Sequence, residues 1–159
     1  MIEISDRREI AAPPEVVWRI TADVETWPDW TPTVSKAEGL QSDAFGLGSR
    51  YRLTQPLQPS AIWQVVEHEP GRSFVWIREG GRMRLRAGHL VEPKANGTRS
   101  TLSFTCDGPG VRLLAPVLRP IFAYALRTEN RALAELSEAR AQDGSPLGPG
   151  MPNEGETRT

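Results

Sequence analysis

At 159 residues the chain has the size of one domain with a core large enough to stand alone. A composition of 38% hydrophobic and 25% charged residues with a net charge of −1 carries no electrostatic footprint for nucleic acid or an anionic membrane. A lone cysteine, Cys106, excludes an internal disulfide and a cysteine-based metal cluster, and no apolar run nears the roughly 18 residues of a spanning helix.

In chain order, Ile2, Ile4 and Ile10 mark a strand that Pro13-Pro14 stops. The same opening, MIEISDRREI, has no apolar leader-like core, so no signal peptide is visible and a cytoplasmic protein is expected. Proline is tolerated in a first helical turn, so a helix is expected from Pro14, with Val16, Val17 and Ile20 at helical spacing and Trp18 widening the stripe. Asp23 is placed to cap a second short helix over 24–29. Three of the five tryptophans fall in this stretch, and Trp27 and Trp30 flank Pro28-Asp29 as a stiff aromatic corner. Such a corner organises a core or walls a cavity.

From about residue 34 to 107 the period becomes that of strands. Segments Val34–Glu38, Arg50–Thr54, Ala61–Glu69, Ser73–Arg78, Arg82–Glu92 and Thr98–Cys106 are separated by turn signals such as Glu69-Pro70-Gly71-Arg72 and Gly80-Gly81. Successive hairpins of this kind form an antiparallel meander. After Gly108-Pro109-Gly110 the period returns to 3.6, with Leu114, Val117, Leu118, Ile121, Phe122, Ala125, Ala132, Leu133 and Leu136 on one broad stripe. Pro116 and Pro120 predict a distorted opening and a regular helix from near Pro120. The domain is thus expected over 1–141, and the Gly/Pro/Ser-rich residues 142–159 read as a disordered tail. The fold class is α+β: about seven antiparallel strands against one long C-terminal helix, with two short helices after the first strand.

That order, with the segments IAAPPEVVWRITADVETWPDW, WQVVEHEPGRSFVW, LVEPKANGTRSTLSF and GPGVRLLAPVLRPIFAYALRTENRALAEL, resembles the polyketide cyclase/dehydrase branch of the START-like (SRPBCC, Bet v 1-like) superfamily. The resemblance spans about residues 2–140. It implies a helix-grip fold, a hydrophobic cavity between sheet and long helix, and no obligatory cofactor. It does not imply a reaction.

Phasing the strand over 82–92 puts Met83, Leu85, Ala87, His89 and Val91 inward and Arg82, Arg84 and Arg86 outward as a solvated strip. His89 would stand in the cavity, where the resembling family more often carries an apolar or aromatic residue, either satisfied by a neighbour or serving a ligand as acid, base or hydrogen-bond partner. Its replacement by phenylalanine is expected to alter ligand affinity with stability roughly kept. Trp63, Val65 and Glu67 share one strand face and Phe74, Trp76 and Arg78 the next, so Trp63 and Trp76 are placed to stack a flat ligand or fill the core. An inward Arg78 needs a partner, and Glu67 is preferred over a ligand group. Phe104 and Phe122 complete the apolar lining, and Tyr51 and Tyr124 offer hydroxyl handles, Tyr124 from the helix stripe and Tyr51 with its hydroxyl nearer the surface. Cys106 reads as a small buried hydrophobe. His68 and His89 lack the carboxylate pattern of a metal site, and no phosphate loop or hydrolase elbow is present.

These readings favour a binding protein for a small hydrophobic lipid, polyketide or aromatic molecule, with burial in an apolar pocket supplying most of the affinity. The alternatives are an aromatase/cyclase- or dehydrase-like enzyme, which needs at least two ionisable groups at one pocket, and a protein-interaction module, which needs a filled interior and an exposed apolar patch. A monomer and a weak dimer are both compatible with the sequence.

Overall fold

The computed structural model describes residues 1–144; the expected tail therefore lies outside the described residues from position 145 on. Strand β1 (Ile2–Ile10) leads into helix α1 (Pro14–Ala22), a tight turn over Val24–Thr26 and the short helix α2 (Trp27–Trp30). Strands β2 (Lys36–Gly39), β3 (Arg50–Thr54), β4 (Ala61–Glu69), β5 (Ser73–Arg78), β6 (Arg84–Lys94) and β7 (Gly97–Asp107) follow, and helix α3 (Val111–Gln142) closes the fold. The seven strands form one antiparallel sheet in the order β1-β7-β6-β5-β4-β3-β2. This is the helix-grip arrangement. Asp23 makes no side-chain cap, and the residues after it form a tight turn before α2, from which Trp27 is buried.

Alternation governs most of the sheet: Leu85, Ala87, His89 and Val91 of β6 face the helices while Arg84 and Arg86 face out. β4 departs from it. Its pairing with β5 slips by one residue between Val65 and Glu67, a bulge that reverses the inward face. Upstream, Trp63 and Val65 are buried; downstream, His68 turns inward onto Trp18 and Phe45, and Glu67 turns outward. The expected Glu67–Arg78 pair is therefore absent. Glu67 instead bonds Arg86 on the outer face, and the Arg78 guanidinium donates to the Met83 carbonyl at 3.2 Å.

α3 is one continuous helix despite its two prolines. Each proline removes an N–H that would bond the carbonyl four residues earlier, at Arg112 and Pro116. Both prolines and both of those residues are exposed, so water takes the freed carbonyls and no buried acceptor is orphaned. The C-terminal half is tied down: Asn130, fully buried, donates to the Asp6 carboxylate at 2.8 Å and to the Ser100 carbonyl at 3.3 Å, and Glu138 accepts from the Ala11 amide at 3.0 Å. The N-terminal half is not. Its inward face is Val111, Ala115, Leu118, Phe122 and Leu126, whereas Leu114, Val117 and Ile121, expected inward, face solvent with Leu113 and Tyr124. α3 carries two apolar stripes in this half, and the sheet is covered by one of them.

Candidate functional site

A cavity of about 90 Å³ lies between the inner sheet face and α3. Its walls are Leu53 of β3, Trp63 of β4, Trp76 of β5, Leu85, Ala87 and His89 of β6, Phe104 of β7, and Phe122, Ala125, Leu126 and Glu129 of α3. Trp27 from α2 and Thr33 from the loop after it close one side, and Gln55, Gln58, Gly88, Leu102 and Ser103 complete the lining. Antiparallel register builds the aromatic part: Phe74 lies opposite His89 and Trp76 opposite Ala87. The His89 ring stacks on Phe74 with centroids 4.5 Å apart and 12° between planes, and Trp27 and Trp76 border it at 5.3 and 5.9 Å.

The polar feature of this wall is a buried carboxylate–imidazole pair. His89 Nε2 lies 3.0 Å from Glu129 Oε1, with the side chains 7% and 16% exposed. The other carboxylate oxygen accepts from the Thr33 hydroxyl at 3.3 Å, and Thr33 is in turn 2.8 Å from the Thr31 hydroxyl. An ionised carboxylate only accepts, so Nε2 is the donor in this pair. The other ring nitrogen, Nδ1, is buried with no partner among the described residues. The Trp63 indole N–H is likewise buried and unpartnered. Two ionisable groups thus meet at one apolar wall, with unspent hydrogen-bonding capacity beside them.

The family model described as polyketide cyclase / dehydrase and lipid transport matches residues 1–138. The chain belongs to this family. Among solved structures with the same fold is the di-domain ARO/CYC StfQ from the steffimycin biosynthetic pathway, 14% identical with a TM-score of 0.74 over 89% of this chain. The chain spans about half of that protein, 52% of its length. Protein TTHA0849 from Thermus thermophilus matches at 20% identity and a TM-score of 0.72, over 91% of this chain and 99% of that one. Protein NE0264 from Nitrosomonas europaea matches at 20% identity and a TM-score of 0.69, over 91% and 97%. At these identities the likeness shows the fold alone. Among the described residues no helix is long and apolar enough to cross a membrane.

Within this family fold, Trp63, Trp76, Leu85, His89, Phe104 and Phe122 all border the cavity. Four other residues singled out from the sequence do not. Tyr124 is 68% exposed: two residues beyond Phe122, it lies on the far side of a helix whose cavity face runs through 122, 125, 126 and 129. Tyr51 is 5% exposed and packs its ring in the aromatic core beside Phe45 and Trp76. Met83 packs on Cys106, sulfur to sulfur at 3.8 Å, and Arg78 is spent on the Met83 carbonyl. The sequence reading missed Thr33 and Glu129, whereas Trp27 belongs to the aromatic corner expected to organise a core or wall a cavity. Glu129 was detectable in principle, because it stands seven residues after Phe122 and so on the same face; its charge argued for the solvent side.

Burial pushes the Tyr51 phenol above its ordinary range, and it does the same to the Cys106 thiol, with Arg78 opposing and Asp107 adding to the rise. Both groups have a folded value above the unfolded one, so their contribution to stability is complete below the ordinary range and is lost as pH climbs through the raised values. The urea midpoint should therefore fall between about pH 9 and pH 11, the range in which unfolded thiols and phenols ionise. Tyr51→Phe should flatten the upper part of that fall. A pH profile identical in the two proteins would contradict the assignment to Tyr51.

Proposed function

We propose that this protein binds a small hydrophobic molecule, ring-containing or acyl, between the sheet and α3. The observation that carries the reading is an aromatic-walled cavity with the Glu129–His89 pair set in its wall. Apolar walls supply affinity through burial, and one or two polar groups supply orientation. At about 90 Å³ the cavity admits a single ring or a short chain; a larger molecule enters by outward movement of the N-terminal half of α3, which is held to the core along one apolar stripe. Aromatase/cyclase chemistry, named for StfQ, would use the same pair as acid and base after binding.

A second reading, a protein-interaction module, is favoured by the exposed stripe of α3, where Leu113 is 85% and Val117 62% exposed. Native mass spectrometry of the purified protein tests both. The binding reading expects an adduct of small mass that organic denaturation releases and that Ala87→Leu, which narrows the cavity, removes. A chain at its sequence mass alone, with a second polypeptide attached in its place, would transfer the conclusion to the interaction module.

A further inference from the structure

We propose that the molecule held in this cavity presents a hydrogen-bond-donating group, a hydroxyl or phenol, to Glu129, and that the cavity rejects carboxylates. This rests on the binding reading above and adds the chemistry of the ligand's polar end.

Three observations carry it. First, among the described residues that line the cavity Glu129 is the sole carboxylate, and no lysine or arginine accompanies it. Arg78, which lies opposite Trp63 in the β4–β5 ladder, is turned to the Met83 carbonyl. Second, Glu129 retains capacity. Its two oxygens each have one partner, His89 and Thr33, while an ionised carboxylate accepts about four hydrogen bonds. Third, an unpartnered donor in the same lining matches the hydroxyl's oxygen. The Trp63 N–H is buried with no partner among the described residues and demands an acceptor. A hydroxyl gives its one proton to Glu129 and offers its oxygen as an acceptor; a hydrocarbon does neither. A carboxylate has no proton to give and meets a like charge in a site poor in water, where repulsion is screened least.

The test uses three probes of one shape: para-ethylphenol, para-ethyltoluene and para-ethylbenzoate, titrated into the purified protein at neutral pH by calorimetry. The phenol should bind about 10- to 100-fold more tightly than the toluene, the range for a hydrogen bond to a charged group. The benzoate should bind more weakly than both. In Glu129→Gln, which keeps shape and an acceptor but removes the charge, the phenol's advantage should shrink and the benzoate should gain, with the toluene unmoved. A benzoate that binds as well as the phenol overturns this proposal while leaving the binding reading in place. Failure of all three probes to bind overturns the binding reading itself, and the proposal with it. The ranking in the unmodified protein decides the matter even where the variant folds poorly.

Discussion

Trp27→Ala should lower the unfolding free energy by about 3–5 kcal/mol, the range for deleting a large aromatic from a packed core. Trp27 is 2% exposed, and its ring meets Trp30, Trp76 and His89 at 5.9, 5.3 and 5.3 Å. Its indole N–H donates to the Thr21 carbonyl at 3.2 Å, which ties α2 to the end of α1. Truncation removes the ring contacts, orphans that carbonyl and opens a void continuous with the cavity. A domain of this size is stable by about 5–15 kcal/mol, so the variant should sit near the edge of folding, with a melting temperature roughly 10 °C lower. Leu113→Ala, on the exposed stripe of α3, is the control and should stay within about 0.5 kcal/mol of the parent. Thermal and urea unfolding of the pair is the measurement. A loss below about 1 kcal/mol for Trp27→Ala would mean that the corner does not bear on the sheet.

His89→Phe should cost about 1–3 kcal/mol, contrary to the expectation from sequence that stability would be kept. Phenylalanine fits the stack on Phe74, so packing is not the reason. Glu129 is the reason: its carboxylate is 16% exposed and would retain only the 3.3 Å bond from Thr33. A buried charge that loses its partner costs more than the pair contributes when intact. The double variant His89→Phe/Glu129→Leu removes both groups and should recover most of the loss. Urea unfolding of the two single variants and the double variant closes the cycle. If the two single losses simply add in the double variant, the side chains are independent and the pair is not a unit.

Much of the frame was legible along the chain. The bounds of β3, β4 and β5 agree with the sequence reading because each is set by local chemistry, as where Glu69-Pro70-Gly71-Arg72 turns the chain out of β4. The inward phase of β6 was legible for the same reason, since period two is a property of one strand. Errors appeared where two segments had to meet. A bulge in β4 arises from pairing with β5, and it sends Glu67 outward against an unbroken alternation. α3 offered two apolar stripes of similar quality, and the prolines suggested a break that exposure to water makes unnecessary.

By itself, then, the sequence determined the element order, the antiparallel meander, the family and most of the apolar wall, because turn residues and side-chain periodicity act within a few positions. Tertiary structure alone decided the partner of the cavity imidazole. His89 and Glu129 are 40 positions apart and lie on a strand and a helix whose faces are fixed only when α3 settles on the sheet. The same settling placed Tyr124 in solvent and Trp27 against the imidazole. Periodicity names the faces of an element; contact between elements selects which face is buried, and with it which charge must find a partner.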